Sequence, residues 1–160
     1  MTRPQDTLAA TVLARAGVPH RLHQHPAART GADLHLTGLD VATSAKTLAF
    51  QLPDGRAVLA AIPGRGRLRY GDLARSLGVP RSALRPLGLE SLARLGMEPG
   101  GVTPIFTDPD TLLVIDRALL THDVLYCGSG SPEVSVEVAT TDLLALFGGA
   151  VLADLSGEPA

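Results

Sequence analysis

Apolar positions along the chain repeat with two different periods, and the switches between them divide it into elements. Leu8, Val12 and Leu13 lie at helical spacing, which predicts a helix over 7–16 capped by Asp6 and ended by Gly17 and Pro19. His20 to His25 alternates loosely and reads as a short strand, and Thr30 with Asp33 opens a short helix that Gly38 stops. Lys46–Leu52 and Ala57–Ile62 are apolar runs of strand length joined by Pro53-Asp54-Gly55, a hairpin signal in which glycine supplies the positive φ of the turn. Pro63-Gly64-Arg65-Gly66 breaks the second strand and opens a basic loop. Tyr70–Leu77 then reads as a helix stopped by Gly78 and Pro80, followed by one or two short helical pieces within 82–95.

Gly96 to Pro104 can continue neither helix nor strand. Beyond it, Thr111–Ile115, Asp123–Cys127 and Glu133–Val138 are three short strands, and Thr140 or Thr141 caps a final helix through Leu146. The residues after Gly148-Gly149 read as a frayed tail in which Val151-Leu152 adds at most an edge contact. Hairpins and helices alternate irregularly, which predicts an α+β fold with a mixed, mainly antiparallel sheet flanked by short helices. The expected organisation is one compact domain over 1–160 with its core at about 8–148.

A hydrophobic content of 45% with 19% charged residues belongs to a soluble globular chain. No apolar run is long enough to span a membrane and the start lacks a secretory signature, so no membrane partner and a cytoplasmic location are expected. The single cysteine, Cys127, excludes an internal disulfide and a cysteine zinc site. With no Trp, two Tyr and three Phe, stacking on exposed bases is not a major binding mode. Charge is unevenly spread: residues 56–94 carry eight arginines against Asp72 and Glu90, net +6, whereas residues 95–160 carry Arg117 against ten acids, net −9. A basic segment in an acidic chain points to a local anionic partner, and Arg65, Arg67 and Arg69, alternating with Gly66 and Leu68, resemble a cationic loop.

Lys46 is the only lysine among fourteen basic residues. Ammonium is a compact charge whose pKa falls on burial, while guanidinium is a broad, permanently charged fork, so one retained lysine at the head of an apolar run suggests a need for the small cation. The bland alternative is a surface lysine left by a bias towards arginine. Gly96 to Pro104 holds glycines and prolines that let backbone approach a ligand and donate N–H groups, and Gly128-Ser129-Gly130-Ser131 is a second loop of this kind. His20, His23 and His25 have no third ligand at metal spacing and read as strand histidines, Cys127 reads as a small buried hydrophobe, and no conventional nucleophile–base pair is visible.

Taken together, Ala45-Lys46-Thr47-Leu48, Ala61-Ile62-Pro63-Gly64, the helix Leu73 to Gly78, the loop Gly96 to Pro104 and Val114-Ile115-Asp116 resemble the YbaK/prolyl-tRNA synthetase-associated editing family. The opening helix and Val18-Pro19-His20-Arg21-Leu22-His23 extend that resemblance from about Leu8 to about Gly148. It implies a compact α+β domain whose mixed sheet closes towards a barrel, and an ester hydrolase that removes the aminoacyl group from mischarged tRNA, most often Cys- or Ala-tRNA-Pro, acting in trans. It implies that Lys46 contacts the substrate near the scissile ester or the terminal adenosine's phosphate, and that Gly100 and Gly101 line the aminoacyl pocket and offer backbone N–H groups to the carbonyl or developing oxyanion. Thr47, Val102 and Thr103 then line the aminoacyl pocket, with Ser129, Gly130 and Ser131 opposite, and Arg65, Arg67 and Arg69 meet the tRNA. No metal or cofactor is implied; tRNA-Pro is the expected partner, prolyl-tRNA synthetase a further candidate, and a monomer the default. Two other readings stay open at this point: a catalytically silent tRNA- or synthetase-binding module, and a small-molecule binding protein.

Overall fold

The computed structural model describes residues 2–28 and 37–157, so the helix expected from Thr30 falls almost wholly outside the described residues. Helix α1 (Leu8–Ala16) is capped by Thr7, not by Asp6: the Thr7 hydroxyl accepts the Ala10 amide, while Asp6 closes a 3-10 turn, Pro4–Asp6, just before it. That extra turn moves the cap one residue along. Gly17 ends the helix in the left-handed conformation.

Strands follow in chain order as β1 (His20–Gln24), β2 (Ala45–Gln51), β3 (Ala57–Pro63), β4 (Arg67–Leu68) and β5 (Arg85–Pro86). After these come β6 (Leu112–Asp116), β7 (Val124–Gly128), β8 (Val134–Ala139), β9 (Val151–Ala153) and β10 (Ser156–Gly157). The remaining helices are α2 (Tyr70–Leu77), α3 (Leu89–Arg94) and α4 (Thr140–Leu146). The stretch read as basic loop therefore contains a two-residue strand, and 82–95 contains one short helix beside a 3-10 turn and an edge strand.

The main sheet has the order β5-β2-β3-β6-β9, with β2 antiparallel to β3 and β5, and β6 parallel to β3 and β9. A second sheet, β1-β8-β7, is antiparallel throughout, and β10 pairs with β4 in a third. The two larger sheets touch at a bridge between Ser44 and Tyr126. The expected mixed, mainly antiparallel α+β fold is what forms, but among the described residues the curvature stops short of a closed barrel.

Strand β3 explains the layering. Val58 to Ile62 are buried on both faces, as in a strand covered from two sides. Leu59 and Ala61 pack with Ile105, Ile115, Val136 and α1, whereas Val58, Ala60 and Ile62 pack with Leu68, Leu73 and Leu155. Truncating Leu59 or Leu73 to alanine would cost about 2–5 kcal/mol by loss of these contacts. The tail from Val151 is not frayed through Gly157. Leu155 is fully buried, and the buried Asp116 carboxylate accepts from the Ser156 hydroxyl and the Ala118 amide. Thr140 does not cap α4; it is the first helical residue, and its hydroxyl donates to the His122 carbonyl, tying the helix to the β7 turn.

Candidate functional site

A cavity of about 360 Å³ opens along the outer edge of β2. Five consecutive strand residues, Ala45 to Ala49, line it, which only a strand edge can do. Opposite stand Gly100 and Val102 from the long loop, Tyr126 to Gly128 from β7, and Ser131 to Ser135 from the second loop and β8, without Glu133. Apolar Leu39, Val41, Leu87 and Leu92 complete the walls. No carboxylate is among the described lining residues, and Lys46 is the one lysine or arginine among them.

The two glycine-rich loops and the lone lysine therefore converge, but not every expected residue reaches the space. Lys46, Thr47, Gly100, Val102 and Ser131 line the cavity; Gly101, Thr103, Ser129 and Gly130 stand behind it as framework. Gly101 donates its amide to the Glu98 carbonyl at 2.9 Å and accepts from the Gly130 amide at 2.7 Å. That amide is committed, so Gly101 is not the free N–H donor expected of it. Its glycine character serves packing instead, since a Cβ there would lie 2.5 Å from the Ser131 carbonyl carbon. Ser129 is fully buried and its hydroxyl donates to the Val134 carbonyl at 2.6 Å, while the buried Thr103 hydroxyl accepts the Ile105 amide. Gly100, at φ 82°, keeps its amide without a partner among the described residues.

Lys46 is half-buried. Desolvation lowers its pKa from the ordinary value, and the nearby Arg67 guanidinium lowers it further by repulsion. The Gly64 amide donates to the carbonyl of cavity-lining Ser44 at 2.8 Å, so the arginine segment begins beside the cavity. Arg65, Arg67 and Arg69 are exposed and alternate with buried Gly66 and Leu68; Arg65 lies in the turn closed by the Gly66 amide on the Pro63 carbonyl, Arg67 opens β4 and Arg69 precedes α2. Asp72 engages Arg75 at 2.9 Å and Arg69 only at 3.9 Å, and Arg81 stacks over the exposed Tyr70 ring.

Some contacts at the cavity carry no sequence signal of their own. Gly128 is one: a Cβ there would lie 2.1 Å from the Val102 carbonyl oxygen, so the long loop rests directly on the end of β7. His25 and Ser135 are another. The His25 Nδ1–H donates to the Pro26 carbonyl at 2.8 Å, because a carbonyl can only accept. Nε2 is then the acceptor for the Ser135 hydroxyl, also at 2.8 Å, and both residues line the cavity. An imidazole oriented in this way can take a proton from a hydroxyl group. The alternation Val134-Ser135-Val136-Glu137-Val138 shows that Ser135 faces away from the core, but not that β1 brings His25 to it. His23 bonds Glu137 at 2.9 Å and lies edge-on to Tyr126. Cys127 is fully buried, and desolvation pushes its thiol up to about 12, which removes it as a thiolate nucleophile. Thr47 Oγ1 is buried and has no hydrogen-bond partner among the described residues.

An apolar cavity on a strand edge, holding one half-buried ammonium, thus opens next to an exposed arginine segment. The chain belongs to the aminoacyl-tRNA editing domain family, which matches it over residues 25–146. It is 30% identical over 94 residues to the proline–tRNA ligase of Leptospira biflexa serovar Patoc, a match that covers 59% of this chain and 16% of that protein. Among solved structures, a candidate trans-editing enzyme for prolyl tRNA synthetase superposes with a TM-score of 0.80 at 28% identity, covering 98% of this chain and 99% of that one. A hypothetical protein, APE2540, gives a TM-score of 0.76 at 30% identity over 91% of this chain and 96% of that one. The resemblance drawn from Lys46 and the Gly96–Pro104 loop is thus borne out at the level of family and fold.

Proposed function

We propose that this chain hydrolyses mischarged aminoacyl-tRNA in trans, with Cys- or Ala-tRNA-Pro as substrate, and that prolyl-tRNA synthetase is its functional partner. The observation that carries this is the meeting of Lys46 with the Gly100–Val102 loop in one cavity beside Arg65, Arg67 and Arg69. An aminoacyl ester is already activated, so the site need only orient it, stabilise the developing oxyanion and exclude the cognate acyl group. Lys46 supplies a cation next to the ester or the terminal phosphate, and the uncommitted Gly100 amide supplies a donor. Water serves as nucleophile, activated by the 2′-hydroxyl of the terminal ribose, and the His25–Ser135 pair accepts its proton. The arginines hold the acceptor stem through phosphate contacts.

The test is hydrolysis of Cys-tRNA-Pro, Ala-tRNA-Pro and Pro-tRNA-Pro by the wild type and Lys46→Ala. Release of a mischarged amino acid, sparing Pro-tRNA-Pro and lost in the variant, is the expected result. If both mischarged esters survive exposure to the wild type, the tRNA-Pro assignment is wrong.

A further inference from the structure

We propose that the open edge of β2 at Thr47 reads the aminoacyl group as one residue of an added strand. In this arrangement the Thr47 N–H donates to the ester carbonyl and the Thr47 carbonyl accepts from the α-ammonium. The inference rests on the deacylase reading and assigns the part of the cavity that holds the reacting atoms.

Hydrogen-bond parity along β2 carries it. The Ser44 carbonyl accepts the Gly64 amide at 2.8 Å and the Leu52 amide donates to the Arg56 carbonyl at 2.9 Å, so even-numbered residues turn their backbone groups towards β3. The Ala49 carbonyl instead accepts the Leu87 amide at 3.1 Å, on the opposite edge. In an antiparallel strand the N–H and C=O of one residue point the same way. Both groups of Thr47 therefore point away from β3, towards the cavity that Thr47 lines.

Nothing pairs with that edge at Thr47 among the described residues. Strand β5 reaches only Phe50 and Gln51, and β7 meets this edge only through the Ser44–Tyr126 bridge. Thr47 sits in the gap between the two contacts. Unpaired strand edges are templates for extended ligands, which they bind through main-chain hydrogen bonds.

An aminoacyl ester has the N–Cα–C=O frame of a strand residue, with a donor at one end and an acceptor at the other. It matches the Thr47 pair as the facing residue of a hydrogen-bonded pair would. Charge supports the fit. The ester's α-ammonium needs an acceptor, and with no carboxylate among the described lining residues a backbone carbonyl supplies one. In the reaction, water adds its oxygen to the acyl carbon and the carbonyl oxygen becomes the oxyanion facing the Thr47 N–H. The acyl–ribose C–O bond then breaks, and a proton from that water ends on the ribose oxygen. Thr47 thus takes the donor role that Gly101, with its amide already committed, does not fill.

The direct test replaces Thr47 by its α-hydroxy analogue, which keeps the side chain, removes that N–H and turns the Lys46–Thr47 amide into an ester with a weaker carbonyl acceptor; the same change at Gln51, on the same strand edge opposite Arg85 but outside the cavity, is the control for the ester. At Thr47, kcat is expected to fall about 10²–10³-fold with KM little changed, the size seen for one oxyanion donor. At Gln51 the fall should be about threefold or less. An unchanged kcat at Thr47, or equal losses at both positions, overturns the proposal. A second readout does not depend on turnover: amide NMR of the wild type with 3′-alanylamino-3′-deoxyadenosine, an amide that cannot be hydrolysed as an ester. The Thr47 amide should shift and become protected from exchange. Cavity amides that shift while Thr47 stays still, or no shift at all, sink the edge assignment. A Thr47 shift in a chain that hydrolyses no mischarged ester keeps the edge assignment and discards the deacylase reading.

Discussion

Two cationic regions lie side by side in this molecule and are built in opposite ways. At the cavity, one ammonium is half-buried, its pKa lowered by desolvation and by Arg67. Along 65–69, three guanidinium groups stand in solvent, and the nearest acid, Asp72, engages Arg75 more closely than Arg69. Exposed charge acts at a distance and weakly per contact, and salt screens it; buried charge is costly to hold but strong at short range. The difference separates docking from chemistry. Backbone follows the same division: glycines around the cavity are packed against neighbouring main chain, while Gly71 in α2 has open space around it.

Breaking the packed region should have the largest effect. Gly128→Ala drives a methyl group into the Val102 carbonyl, and neither partner is the free end of a side chain. The expected outcome is a loss of about 3 kcal/mol or more in stability together with loss of hydrolysis, read by thermal melting and a deacylation assay. A variant with wild-type melting would show that the long loop does not rest on β7.

Next comes Lys46. Lys46→Ala should lower hydrolysis by at least about 10²-fold, and Lys46→Arg should not restore it, because a planar fork does not fit where a compact ammonium is half-buried. Stability should move the other way. The Lys46 pKa is lowered from 10.5 in the folded state, so the unfolded chain holds that proton more tightly. The native state therefore carries a penalty below its folded pKa, relieved as pH rises from there towards 10.5. Lys46→Met should be at least as stable as wild type at neutral pH, with the gap narrowing in alkaline denaturant melts. A gap that widens with pH would contradict the burial of this ammonium.

In the exposed region effects should be smaller and salt-dependent. Replacing Arg65, Arg67 and Arg69 by Glu should weaken tRNA binding about 10–100-fold at low salt and reduce the slope of log K against log salt by about 2–3. The melting temperature should hardly change. Equal affinities across a salt titration would place the tRNA contact elsewhere.

How much of this was legible beforehand follows the same division. Helix α2, the β2–β3 hairpin and strands β6 to β8 were readable because each carries its own period and its own breakers. Strands β9 and β10, at three and two residues, are too short to show a period; pairing with β6 and β4 and the burial of Leu155 tie them down. Lys46 stood out by composition, and the two loops by glycine content, yet their meeting is a tertiary fact. The roles of Gly101 and Gly128 depend on which backbone lies against them, and the His25–Ser135 contact depends on β1 pairing with β8. Thr47 was placed in the pocket through the family resemblance; that its strand edge is left open is decided by where β5 and β7 stop.

The smallest expected effect sharpens the contrast most cleanly. Gly71 lies within α2, takes no positive φ, and a Cβ there would meet nothing within 4 Å. Replacing it by alanine removes backbone freedom from the unfolded chain and favours the helix, so Gly71→Ala should stabilise the fold by about 0.5–1 kcal/mol. Hydrolysis should be unchanged, because the substitution touches neither the cavity nor the exposed guanidinium groups. Set against Gly128→Ala, it is the same chemical change with the opposite sign, and only the surrounding main chain differs. A destabilised Gly71→Ala would mean that another molecule, or a part of the chain beyond the described residues, packs against α2 at that point.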